Sequence, residues 1–198
     1  MDFSTLTARG GIIKTVRAFF DGRGYLETLT PALSPDLIPE TCLEAFETTL
    51  LPPPGSKTIK PQKLYLTPSP EIWMKKIIAE HRVSIYQICS SFRNCESESP
   101  VHSPEFLMLE YYTMNADYID SLVLTEALFT ALIETNKTAL LRFQTEGELA
   151  AVSPPFIRLS MEEAFVRYAG FSLASAIERG TLRQEAEHLG MNIAPQFS

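Results

Sequence analysis

The strongest constraint on the fold lies between Tyr86 and Thr113, where two runs alternate with the two-residue period of a strand and are separated by a polar loop. In the first run, Tyr86 to Arg93, Tyr86, Ile88, Ser90 and Phe92 face one way, and Gln87, Cys89, Ser91 and Arg93 the other. In the second, Glu105 to Tyr112, one face carries Phe106, Met108, Glu110 and Tyr112, and the opposite one Leu107, Leu109 and Tyr111. Paired as neighbours, the runs end one strand on an arginine and set a carboxylate in the middle of the next. A carboxylate on a half-buried strand is costly unless paired. Glu110 therefore needs an internal arginine or a cationic ligand.

The rest of the chain supplies helices and shorter strands. Residues Ala8 to Asp21 predict an amphipathic helix with Ile12, Val16, Phe19 and Phe20 inward and Lys14, Arg17 and Asp21 outward, stopped by Gly22 and Gly24. Tyr25 to Thr30 reads as a strand leading into Pro31, and Ser34 to Glu44 as loop. Phe46 to Leu51 and Leu64 to Thr67 read as strands flanking a long hairpin loop opened by Pro52, Pro53, Pro54 and Gly55. Ser69 suits a cap, Pro70 a first helical position and Glu71 the positive helix end, for a helix running to about His81. Asp117 caps a predicted helix from Tyr118 to about Thr135, with Ile119, Leu122, Val123, Leu128 and Leu132 as its buried side. Phe156 to Leu159 suggests a short strand. Ser160 with Glu163, and Thr181 with Gln184, match capping boxes for helices ending near Gly170 and at Gly190. Helices alternating with hairpins predict an α+β fold, an antiparallel β-sheet flanked by helices.

At 198 residues and 45% apolar, the chain is long enough for one domain with a substantial core. Its 17 basic and 24 acidic residues give a formal charge of −7, which excludes a broad basic face for nucleic acid. Cys42, Cys89 and Cys95 are odd in number and lack metal-ligand spacing, so they read as reduced thiols of a cytoplasmic protein, with no zinc or other metal site. No secretory signal is evident, and no apolar run approaches the ~18 residues of a membrane span. Neither G-x-G-x-x-G nor a Walker lysine loop is present.

Several side chains have both a structural and a chemical use. The Arg93 fork suits a phosphate or carboxylate, and equally a salt bridge to Glu105 or Glu110. Phe106 offers a π-face to a base or packs in a core. Glu71 can serve simply as a first-turn acid favoured by the helix dipole. His102 either meets a phosphate or is solvated, and the Tyr111-Tyr112 pair divides between core and ligand.

Together these residues resemble the class II aminoacyl-tRNA synthetases, lysyl type. The string S-F-R-N, a loop with His102, and S-P-E-F-L-M-L-E-Y-Y is similar to the second signature motif of that family. L-Y-L-T-P-S-P-E-I-W-M-K-K-I-I resembles the segment before it, and F-F-D-G-R-G-Y-L-E-T-L-T-P the first motif. The lysyl type rests on Glu71, Glu110 and Tyr112 together.

The resemblance implies that Arg93 binds the α-phosphate of ATP and the substrate carboxylate, Phe106 stacks on adenine and His102 approaches the distal phosphates. It gives the α-amino group to Glu71 and the terminal amine to Glu110 and Tyr112. The family's glutamate two residues beyond the arginine is Cys95 here, so that role passes to Glu96. The loop also offers Ser99, Pro100 and Val101 where the family carries an arginine near the histidine.

The implied reaction is ATP- and magnesium-dependent formation of a lysyl- or β-lysyl-adenylate. The first motif, beginning almost at Met1, places the chain nearest the paralogues that modify a lysine of elongation factor P. A lysyl-tRNA synthetase fragment and a non-catalytic dimerisation module are the alternatives. The resemblance further implies a homodimer through Ala8 to Pro31. The third signature motif is absent from residues 1 to 198, so the chain reads as a partial catalytic domain with weak or no activity alone.

Overall fold

The computed structural model describes residues 2–37, 43–56, 60–94 and 102–193. The chain divides into two compact units, Met1–Pro154 and Pro155–Ser198.

The first unit opens with helix α1, Phe3–Asp21, five residues longer at its start than expected because the Asp2 carboxylate accepts from the Thr5 backbone N–H and caps it. Gly24, at φ 75, turns the chain. It then enters β1, Leu26–Glu27, and β2, Leu33–Ser34. The expected hairpin forms from β3, Glu47–Leu50, and β4, Gln62–Leu66, and β2 pairs with the other edge of β4. Helix α2 spans Glu71–His81, the central strands are β5, Ile85–Phe92, and β6, Glu105–Tyr112, and α3 is Tyr118–Leu140. A short α4, Glu146–Ala151, carries a Thr145–Glu148 capping box that the sequence reading passed over.

The expected α+β class holds, with one refinement of the antiparallel sheet. The sheet of order β1-β5-β6 is mixed: β5 and β6 pair antiparallel over their full length, whereas β1 runs parallel to β5. Parallel neighbours need a long crossover, and here residues 28 to 84 supply it with the second sheet and α2.

The core lies on the helical side of β5 and β6. Val16, Phe19 and Phe20 from α1 meet Tyr86 and, from α3, Leu128, with Ile88, Leu109 and Tyr111 packed around them. The Phe20 ring stacks on Tyr86 with centroids 4.9 Å apart and meets Tyr25 edge-on at 5.1 Å. Tyr86 donates to the Asp21 carboxylate at 2.8 Å, giving the buried phenol a partner.

Helix α3 corrects the expected buried side. Ile119, Leu122 and Val123 are exposed, and Leu124, Ala127, Ala131 and Leu132 pack beside Leu128. The helix also continues to Leu140, which brings Asn136 into the α1 contact. Its amide donates to Thr15 Oγ1 at 3.0 Å and to the Leu132 carbonyl at 2.9 Å, while Thr15 donates to the Gly11 carbonyl at 3.0 Å.

In the second unit the Ser160–Glu163 capping box starts α5, Met161–Ala164, which runs into a π-helical turn, Phe165–Ala169, ended by Gly170 at φ 80. Helices α6, Leu173–Glu178, and α7, Leu182–His188, follow. The expected Thr181–Gln184 box does not form, because Thr181 sits at φ −101, ψ 5 and not in the extended conformation a capping side chain needs. No strand occurs at Phe156 to Leu159. Among the described residues, no helix is long and apolar enough to cross a membrane.

Adjacent glycines in α1 should respond oppositely to alanine. A Cβ on Gly10 would meet nothing within 4 Å, whereas one on Gly11 would lie 2.8 Å from Asn136 Oδ1. Gly10→Ala should gain the ordinary helix-interior increment, about 0.5–1 kcal/mol. In Gly11→Ala, overpacking of about 1–3 kcal/mol against an amide tied by two hydrogen bonds should outweigh that gain. Urea unfolding midpoints should rise for the first variant and fall for the second.

Candidate active site

Because β5 and β6 bury one set of alternate residues against the helices, the other set forms a second face. Its register sets Gln87 opposite Glu110, Cys89 opposite Met108 and Ser91 opposite Phe106. Gln87 and Ser91 are buried, and Cys89, Phe106, Met108, Glu110 and Tyr112 are half-buried.

At one end of this face the Glu110 carboxylate accepts from Ser69 through Oε1 and from the Tyr112 hydroxyl through Oε2, the latter at 3.2 Å. Ser69 Oγ in turn accepts from the Glu71 backbone N–H at 3.1 Å, joining the start of α2 to β6. Ser69 thus serves differently from the expected cap: the residue flanking the helix is Pro70 and the helix begins at Glu71. The Glu71 carboxylate pairs with Lys75 one turn on.

The local field at this end is negative. Burial, then the charges of Glu110 and Glu71, push the Tyr112 phenol well above the ordinary tyrosine range. Burial also raises the Cys89 thiol, with the Glu110 charge adding to it and hydrogen bonds with Ser91 and Gln87 opposing. Glu71 and Glu110 therefore act on one hydroxyl, an arrangement suited to a cation.

At the other end the Arg93 guanidinium lies over the Phe106 ring, 5.3 Å from its centroid. The Arg93 backbone N–H donates to the Pro104 carbonyl at 3.0 Å, and Asn94 N–H to Glu44 at 2.8 Å, fixing where β5 ends. Glu110 and Phe106 lie four residues apart on β6, roughly 13 Å at ~3.3 Å per residue. One face thus presents a cationic fork with an aromatic surface, and further along it a pair of carboxylates.

Residues 3–194 match the family of class II tRNA synthetases (D, K and N). The chain belongs to that family.

Among curated members, it is 32% identical over 192 residues to a lysine–tRNA ligase of Magnetococcus marinus, covering 92% of this chain and 35% of the relative. It is 31% identical over 188 residues to an elongation factor P–(R)-β-lysine ligase of Pectobacterium atrosepticum, covering 95% and 51%. Thus it spans about half or less of the length of these synthetase relatives. A crystal structure of asparaginyl-tRNA synthetase from Pyrococcus horikoshii, complexed with asparaginyl-adenylate, superposes with a TM-score of 0.63. At 18% identity over 98% of this chain and 39% of that one, it speaks for the shared synthetase fold alone.

Of the residues the synthetase resemblance singled out, the structure gathers Glu71, Glu110 and Tyr112 at one end and Arg93 with Phe106 at the other. His102 is exposed just ahead of β6. Glu96 and Cys95, together with Ser99, Pro100, Val101 and Cys42, lie outside the described residues. Ser69 and Gln87 are the members that sequence reasoning missed. Ser69 bonds a carboxylate 41 positions away and Gln87 bonds hydroxyls 57 and 59 positions away, so no local pattern announces either contact.

Tyr86, like Tyr112, is held above its ordinary value by burial and by Asp21 and Glu27. The folded protein keeps both phenolic protons above pH ~10, where unfolded tyrosines lose theirs. Stability should therefore be indifferent to these groups below about pH 10 and fall as pH rises beyond it. Tyr112→Phe should flatten that fall in urea unfolding measured from pH 9 to 11.

Proposed function

We propose that the protein is a ligase that uses ATP to activate lysine or β-lysine and transfers it to a lysine of elongation factor P. The observation that carries this reading is the Glu110 carboxylate, held mid-strand by Ser69 and Tyr112. Both of these donors are neutral, so they orient the carboxylate without cancelling its charge, and an external ammonium can supply the compensation.

In this reading Glu110 and Tyr112 receive the terminal ammonium of the substrate and Glu71 its α-amino group. Arg93 bridges the substrate carboxylate and the α-phosphate, Phe106 stacks on adenine and His102 meets the distal phosphates. Glu96 stands for the family's loop glutamate. A carboxylate oxygen of the substrate attacks the α-phosphorus, a P–O bond forms, and the bond to the β-phosphate breaks to release pyrophosphate. Arg93 stabilises the charge that gathers on the α-phosphate oxygens. In the second step the acceptor amine attacks the activated carbonyl, forms an amide, loses a proton and expels AMP.

Magnesium would accompany the ATP phosphates. Among the described residues no group of three or more His, Cys, Asp or Glu could hold a metal ion, so no step is assigned to one held by protein.

The elongation factor acceptor is supported by the Pectobacterium relative, which covers 95% of this chain, and by a β-lysine ligase of Buchnera aphidicola that is 45% identical over 107 residues. The acidic balance of −7 also suits a protein acceptor. A tRNA acceptor is the second reading, favoured by the 32% identity to a lysine–tRNA ligase. The region Ala8 to Pro31 is proposed as a homodimer contact, supported by Leu26 and by Leu29, which is 90% exposed. The cysteine usage suits a cytoplasmic location.

Glu110→Gln should raise the KM for lysine roughly 100-fold by leaving the ammonium without its counter-charge, while the KM for ATP stays unchanged. Lysine-dependent pyrophosphate exchange measures both, and unchanged lysine affinity would sink the assignment. Incubating the enzyme with labelled lysine or β-lysine and either tRNA or elongation factor P separates the acceptors, because only the true one becomes labelled.

A further inference from the structure

Gln87 is the buried polar side chain of the site face for which the proposed chemistry has no use. It is 1% exposed, sits in the central strand and stands directly opposite Glu110 across the β5–β6 pair. Side chains so opposed have Cβ atoms ~5 Å apart, within reach of a glutamine amide. Yet, apart from its contact with the neighbouring Cys89 thiol, the amide turns the other way. Its Nε2 donates to Thr30 Oγ1 at 3.0 Å and its Oε1 accepts from Thr28 Oγ1 at 3.3 Å. Thr28 is itself fixed, since its backbone N–H donates to the Tyr86 carbonyl at 2.8 Å.

A buried amide takes partners wherever they are offered, because leaving its N–H or C=O unsatisfied is costly. Glu110 is such a partner, and its charge would make it the stronger acceptor of the two sides. An amide bonded to Glu110 would satisfy the carboxylate from within and weaken its hold on a cation from outside. We infer that Thr28 and Thr30 park the Gln87 amide away from Glu110, so that this threonine pair sets how strongly the site binds an ammonium group. The inference deepens the proposed lysine-activating function and rests on it. Thr28, Thr30 and Gln87 are positioning residues, acting through Glu110 without touching substrate.

The test compares the full chain with a Thr28→Val/Thr30→Val variant, which keeps both side-chain shapes, and with the same variant carrying Gln87→Leu. In the double variant the freed amide should swing to Glu110 and raise the KM for lysine at least about tenfold, the low end for a hydrogen bond to a charged group. The kcat and the KM for ATP should not move. Adding Gln87→Leu removes the donor and should restore the lysine KM.

A second readout needs no substrate: the 13C resonance of the Glu110 side-chain carboxyl, assigned by its loss in Glu110→Gln. It should shift in the double variant and return in the triple. A lysine KM equally raised in both variants would mark the effect as mere loosening and overturn the inference, as would a Glu110 resonance that stays in place. A resonance that moves and returns in a protein that activates no lysine would uphold the parked amide and defeat the functional reading instead.

Discussion

The Phe20 ring lies face to face with Tyr86 at 4.9 Å, with Tyr25 and Tyr111 at 5.1 and 5.2 Å. This aromatic cluster commits one face of β5 and β6 to the helices. Successive residues of a strand point to opposite sides, so burying Tyr86, Ile88, Leu109 and Tyr111 obliges Gln87, Cys89, Glu110 and Tyr112 to the other. A slip of one residue would turn Glu110 into the aromatic core and expose the tyrosines. The Tyr86 hydroxyl reinforces the register through Asp21 at the end of α1 and, at 3.3 Å, Glu27 in β1. The site face is thus fixed by packing on the side away from it.

The hairpin was legible because its signal is local. Alternation alone put Gln87, Cys89 and Ser91 on one face of the first strand and Phe106, Met108, Glu110 and Tyr112 on one face of the second, and the pairing joins these two sets into one face. Helix α3 was harder. Leu122, Val123, Leu124, Ala127, Leu128, Phe129, Ala131, Leu132 and Ile133 place apolar side chains nearly all the way round, so hydrophobic period selects no face. The side is chosen by Asn136, which reaches Thr15, and by Thr125, whose hydroxyl lies 3.1 Å from that of Tyr111. The same limit explains Ser69: proline and acid beside it make a helix start the natural reading, while its bond to Glu110 depends on how two distant segments meet. The Thr181 box failed for a different reason, since its residue types are right and its backbone is not.

The two ends of the site face use different means of holding charge. Arg93 rests on an aromatic ring and on a strand end pinned by backbone bonds. Glu110 is held by hydroxyls. A lysine or arginine in place of Ser69 would form a more conventional ion pair and would neutralise the group. Neutral donors give orientation at lower electrostatic cost to whatever binds next.

The Lys75–Glu71 pair gives the negative end an occupant of its own. Lys75 sits one helical turn beyond Glu71 and is 58% exposed, so the pair is solvent-screened and of the kind that contributes little to stability. Any ammonium that reaches Glu71 from outside therefore arrives by exchange, one primary amine replacing another of the same charge. The carboxylate need not shed a full hydration shell, and the displaced lysine returns to water already half there. In the proposed lysine-activating reading, recognition at this position would be a swap between near equals, leaving selectivity to Glu110 and to the distance between the two carboxylates.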